Sequence, residues 1–157
     1  MKKQKKSVVP VLKRTSINKL IKKDRTGREL EKRCAQWLKR RHYELKSVKK
    51  LKFKAKYGTV EFDVWGEATF PLRIDYAIVV ECKNTFVNRP MVKKFISDMK
   101  DYDDTDPEKL GRSEIKYAYM VSTKGFNKPA IQEAKSHKPK IKCFVYNTTR
   151  EKFKGQM

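Results

Sequence analysis

Histidine and cysteine are scarce, two and three in 157 residues, and neither is clustered. His42 and His137 stand alone, and Cys34, Cys82 and Cys143 are widely separated with no CxxC pair, which argues against a zinc site of His and Cys. Each thiol falls within an apolar helical or strand pattern, so the three read as buried thiols of a reducing cytoplasm. Long apolar runs are also missing. The longest, Tyr76 to Val80, is strand length, against the roughly 20 residues that a membrane-spanning helix needs. The opening MKKQKKSVVPVLKR is charged but has neither the continuous apolar segment nor the small-residue cleavage site of a secretory signal, and is expected to be retained. No internal repeat stands out. The largest deficit is of negative charge: 18 Asp and Glu against 40 Lys and Arg, a formal +22. This is far beyond what solubility favours, and such a surface seeks polyanions. Duplex nucleic acid, with one negative charge per roughly 1.7 Å of axis, is the first partner to consider. An anionic membrane surface is the rival.

The residues present are enough for one core. Eight Phe, seven Tyr and two Trp in 157 residues predict a single domain. Residues 1–25 hold ten basic residues and one acidic, with few large apolar side chains, and read as a basic arm, either settling on a phosphate backbone or merely solubilising. The domain proper is expected from residue 26 to 157. At its start Thr26-Gly27-Arg28-Glu29 spells a capping box, predicting a helix from Thr26 to about Arg41 with Leu30, Cys34, Trp37 and Leu38 on one stripe. Glu31 falls at the border of that stripe, where a charge is out of place.

Strand patterns follow at Tyr43 to Val48, Leu51 to Ala55 and Thr59 to Trp65. In the last, alternation sets Val60, Phe62 and Val64 on one face and Glu61, Asp63 and Trp65 on the other. Gly66 to Arg73 reads as a hairpin connection. Asp75 to Lys83 has the unbroken apolar centre of an interior strand, with Glu81 and Lys83 on one side. Pro90 opens a second helix whose buried stripe is Met91, Val92, Phe95, Ile96, Met99 and Tyr102. A strand over Tyr117 to Ser122, a short helix from Asn127 and Pro129 to about Ser136, and a strand over Ile141 to Tyr146 complete the pattern. The order α-β-β-β-α-β-α-β predicts the α/β class, a central mixed β-sheet flanked by helices.

Phosphodiester hydrolysis needs an activated water, neutralised charge at phosphorus and help for the leaving oxygen, all of which a divalent metal supplies. Mg²⁺, or Mn²⁺ in its place, favours oxygen ligands and takes one or two carboxylates from the protein. Asp63 and Glu81, eighteen positions apart on consecutive strands, fit that demand if they converge at one end of the sheet. The Cys82 carbonyl is a further oxygen, and Lys83 is placed to polarise water or stabilise developing negative charge. Buried unpaired charge is costly, so Glu81 and Lys83 lie at the rim, pair with each other, or hold a metal.

The runs GTVEFDVWGE and YAIVVECKN resemble the core of the PD-(D/E)xK, restriction-endonuclease-like nucleases, in which a hairpin carries the first acid and the next strand ends in ExK. The resemblance reaches upstream to Gly27-x-x-x-Glu31 and downstream to Tyr119–Asn127, whose pattern is similar to that of Mrr-like and archaeal Holliday-junction-resolvase-like members. It covers roughly Thr26 to Tyr146; Phe62 stands where the motif has its proline. It implies a Mg²⁺- or Mn²⁺-dependent endodeoxyribonuclease acting on double-stranded or branched DNA, with Asp63, Glu81, Lys83 and Glu31 catalytic, Asp63, Glu81, Glu31 and the Cys82 carbonyl on the metal, and a homodimer suited to paired cuts.

Blander readings stand beside these. Glu31 is alternatively a rim residue paired with a Lys or Arg. Glu61 reads as a solvated cross-strand partner for Lys ahead of a substitute ligand, and Trp65 as hairpin packing ahead of base stacking. Lys93, Lys94, Lys100 and Lys124 are candidates for tracking phosphates, although the ordinary wet face of a helix accounts for the first three. The alternative for the whole chain is a non-catalytic nucleic-acid-binding protein that retains the same fold.

Overall fold

The computed structural model describes residues 14–69, 75–105 and 113–156. The first part of the expected basic arm, residues 1–13, and the end of the expected hairpin connection, residues 70–73, lie outside the described residues. The elements are α1 (Arg14–Arg41), β1 (Leu45–Ala55), β2 (Gly58–Ala68), β3 (Tyr76–Lys83), α2 (Arg89–Asp103), β4 (Glu114–Ser122), α3 (Lys128–Ser136), β5 (Ile141–Asn147) and β6 (Lys152–Gln156). This is the expected order with one strand added at the end. The strands pair in chain order into one sheet, antiparallel from β1 to β3, parallel from β3 to β5, and antiparallel again at β6.

Apolar pattern explains the layering. Ala77, Ile78, Val79 and Val80 of β3 are all fully buried, as an interior strand covered on both faces requires. Leu30, Cys34 and Leu38, at i, i+4 and i+8 of α1, cover one face through Val64, Ile78, Val80, Tyr119 and Val121. Val92, Phe95 and Met99 of α2 and Ala130 and Ala134 of α3 cover the other, over Phe62, Trp65, Ala77, Val79, Ala118 and Met120.

Several boundaries differ from the sequence pattern. α1 begins at Arg14, so Thr26 lies inside a helix and not at its start. Residues 14–25 contain no Pro or Gly, and helix formers such as Lys, Arg, Leu and Ile carry the helix through. Glu29 reaches forward one turn to Arg33 at 3.2 Å. The expected strands at Tyr43–Val48 and Leu51–Ala55 are one strand that starts at Leu45, with Tyr43 and Glu44 in the turn before it and a register shift between Lys49 and Leu51. β2 continues to Ala68, since Gly66, Glu67 and Ala68 pair with Ile78, Ala77 and Tyr76. Gly66 is therefore a strand glycine and no part of a turn. A Cβ there would stand 2.9 Å from Leu45 Cδ1, so the missing side chain admits the start of β1.

The structure also contains a repeat that the sequence pattern does not announce. β3 with α2 and β4 with α3 are two parallel strand-loop-helix units, each capped by an asparagine and carrying a proline in the first turn. Asn88 Oδ1 accepts from the Met91 N–H and Asn127 Oδ1 from the Ala130 N–H. The two loops are zipped together: Val87 N–H donates to the Gly125 carbonyl at 2.9 Å, and Asn127 N–H to the Val87 carbonyl at 3.1 Å. This zip fixes the loop that leaves β3 just beyond Lys83.

Candidate active site

Strict alternation along β2 fails at one place. Lys49 of β1 pairs with Trp65 and Leu51 with Phe62, so the single residue Lys50 stands opposite two residues, Asp63 and Val64. This is a β-bulge, which re-aims the side chains around it. Phe62 lies in the α2 layer, Val64 in the α1 layer and Trp65 again in the α2 layer. The expectation that Val64 shares a face with Val60 and Phe62 is thus corrected. Trp65 is 4% exposed and packs in the core, with its Nε1 lacking a hydrogen-bond partner.

Asp63 is the residue held at this break. Its Oδ2 accepts a hydrogen bond from the Cys82 backbone N–H at 2.8 Å, which ties it to the end of β3 between Glu81 and Lys83. Continuing the antiparallel register past Val64↔Val80 brings position 63 opposite position 81. Glu81 is 7% exposed, on the α2 side of β3 with Val79, and Lys83 Nζ lies 2.5 Å from Glu81 Oε1. Of the three alternatives for Glu81 and Lys83, pairing with each other is therefore observed.

The electrostatics describe a site with more negative charge than its surroundings support. Burial, and then the charge of Asp63, push Glu81 up to about 7. Burial raises Asp63 as well, against the Cys82 N–H bond and the Lys83 charge that favour its ionised form. Burial opposes the charge of Lys83, but the charge and hydrogen bond of Glu81, together with the charge of Asp63, hold the ammonium above its ordinary value. Glu31, on α1, is raised by burial and then by Asp63. The field of Asp63 therefore reaches both Glu81 and Glu31.

Lys50, which the sequence pattern did not single out, stands at this site. Its ammonium lies 2.8 Å from Glu61 Oε1 and 3.6 Å from Glu31 Oε2. Glu61 is the cross-strand lysine partner that alternation predicts, and Glu31 has the basic neighbour of the blander reading. The signal for Lys50 is its position opposite the extra residue of β2, a matter of register between strands.

The remaining lysines divide. Lys94 of α2 is held 2.5 Å from Asp98 Oδ2, and its charge acts on Glu81. Lys93, Lys100 and Lys124 are exposed. Among the described residues no group of three or more His, Cys, Asp or Glu side chains is arranged to hold a metal ion, so a cation here would rest on the two carboxylates and backbone oxygen. Half-buried Asp63 and buried Glu81, both raised by desolvation and sharing one close lysine, suit such a hard-oxygen site. No helix of the described residues is long and apolar enough to cross a membrane.

A mixed sheet in this element order, with a half-buried and a buried acid beside a lysine at the end of an interior strand, is that of the restriction-endonuclease-like fold. A family model described as restriction endonuclease, Mrr_cat, matches residues 23–148, and the chain belongs to that family. The family is one of nucleases acting on DNA. Neither the curated proteins nor the solved structures give a significant match.

Proposed function

We propose that the protein is a metal-dependent endodeoxyribonuclease that hydrolyses phosphodiester bonds of double-stranded or branched DNA. The observation that carries this reading is Asp63: pinned to the Cys82 N–H at 2.8 Å, its carboxylate stands in reach of Glu81, Lys83 and Glu31 at the end of β3. Asp63 and Glu81 bind Mg²⁺ or Mn²⁺. The Cys82 carbonyl lies on the same edge of β3 as its N–H, as both groups of a strand residue do, and would supply a further oxygen ligand. Glu31 supports the site from α1. Bound there, the metal supplies an activated water and neutralises charge on the scissile phosphate. Lys83, kept protonated by Glu81, orients that water and offers positive charge to the phosphate oxygens. Lys93, Lys94, Lys100 and Lys124 contribute to holding the phosphate backbone. Paired cuts would come from a homodimer, and three free thiols fit the reducing cytoplasm.

The deciding experiment assays plasmid and branched DNA with Mg²⁺, Mn²⁺ or EDTA. Cleavage should need the metal and disappear in Asp63→Ala and Glu81→Ala proteins that still fold and bind DNA. Retained cutting by both variants would end the assignment, and binding without any cutting by wild type would leave a DNA-binding protein on this fold.

A further inference from the structure

The hairpin of β1 and β2 is longer than the sheet it starts from. β2 pairs with β3 only from Val64 to Ala68, whereas β1 and β2 stay paired to Ala55↔Gly58, so the outer half of the hairpin runs on past the acid pair. One face of this extension is apolar and buried: Leu51, Phe53, Val60 and Phe62 pack with Phe95 and Tyr102 of α2. The other face is open to water. On β1 it presents Lys50, Lys52 and Lys54, all exposed and alternating with the buried Leu51 and Phe53. On β2 the residues opposite are Thr59 and Glu61, and the row ends inward at Asp63. At the turn Lys56 adds a fourth cation and Tyr57 stands 83% exposed.

Charge on this face is not used up internally. Glu61 is the acid of the row; Lys50 holds it at 2.8 Å and Lys52 lies directly across from it. Lys54 faces Thr59 and makes no ion pair among the described residues. A strand face repeats every second residue, about 6.6 Å apart, so Lys50 to Lys54 span roughly 13 Å. That is a row of regularly spaced cations, close in spacing to successive phosphates of one strand, and its inner end is Asp63, the acid bonded to the Cys82 N–H.

We propose that the open face of the β1–β2 hairpin is the DNA-guiding surface of this nuclease. One strand's backbone lies along Lys54, Lys52 and Lys50, and this delivers the phosphate at the end of the row to Asp63. The inference rests on the nuclease reading for what happens at Asp63. The hairpin's role in holding DNA is separable from it, because binding is measured without metal.

The test measures binding of the full-length protein to a labelled duplex in EDTA over a series of salt concentrations, with cleavage assayed in parallel in Mg²⁺. The variants are Lys52→Ala/Lys54→Ala, and, as a control of equal charge, Lys39→Ala/Lys142→Ala at the exposed end of α1 and the start of β5. Each phosphate that the protein no longer neutralises lowers the slope of log affinity against log salt by about 1, so the hairpin variant should show a slope smaller by about 2 and bind more weakly, with wild-type thermal stability. The control should keep the wild-type slope. An unchanged slope in the hairpin variant, an equal reduction in the control, or no duplex binding by wild type would each overturn the proposal. Wild type that binds through the hairpin but does not cut would instead defeat the nuclease reading and leave the guiding surface standing.

Discussion

Lys50 of the edge strand and Glu31 of α1 are joined across the site, with ammonium and carboxylate 3.6 Å apart. The same ammonium holds Glu61 below its ordinary value through their hydrogen bond, and it opposes the burial and the Asp63 charge that raise Glu31. Replacing Lys50 with methionine keeps most of the apolar stem and removes only the charge. Both carboxyl groups should then titrate at higher pH, which a ¹³C NMR titration of the Glu side chains reads directly. If the Glu31 midpoint stays where it is in wild type, the link between strand and helix is absent.

Glu81 gives the protein a pH dependence of known sign. Its carboxyl is raised from an ordinary 4.5 to about 7 by burial and then by Asp63. Between those values the folded chain keeps a proton that the unfolded chain has lost. The stability from this group is complete below about pH 4.5 and is lost as pH rises to about 7, on the order of 3 kcal/mol. Metal-free wild type should therefore lose melting temperature between pH 5 and pH 8 relative to Glu81→Gln. Added Mg²⁺, which favours the ionised pair, should recover it for wild type at pH 8 and not for the variant. Parallel melting profiles for the two metal-free proteins would contradict the raised carboxyl.

Gly66 should resist even the smallest side chain. A Cβ would press on Leu45 Cδ1 at 2.9 Å and Cδ2 at 3.3 Å, with Leu38 Cδ2 at 3.5 Å behind them. Overpacking of this kind costs typically about 1–3 kcal/mol, and since Leu45 offers only the end of its side chain, Gly66→Ala should fall toward the lower figure. Shortening Leu45 to alanine in the same chain should return part of that loss. Denaturant melts of the two single variants and the double variant measure the coupling, and simple additivity would show that the residues do not meet.

Element type was largely legible in the sequence because the apolar periods are strong. Leu30, Cys34 and Leu38 repeat at helical spacing, and Ala77 to Val80 form an interior run, so α1 and β3 follow from solvent exclusion alone. Ends were less legible. The Thr26 box has the spelling of a cap, but a cap acts only where a helix stops, and nothing upstream stops this one before Arg14. β6, Lys-Phe-Lys-Gly-Gln, lacked a strand signal because it lies at the sheet's edge with only half-buried side chains at Phe153 and Gln156. Asp63, Glu81 and Lys83 were visible as charges set against apolar strands. Lys50 was not, because its placement depends on the offset between β1 and β2, and no local period encodes how two strands are slid against each other.

The extra residue at Asp63 and Val64 lets Phe62 and Trp65, three positions apart, lie in the same layer. Removing Asp63 would leave Lys50 opposite Val64 alone and restore plain one-to-one pairing, with Lys49, Leu51 and Phe53 still across from Trp65, Phe62 and Val60. Phe62 and Val60 would therefore stay beneath α2. What the inserted position contributes is the carboxylate bonded to the Cys82 N–H, so shortening the strand here takes away the acid and spares the packing.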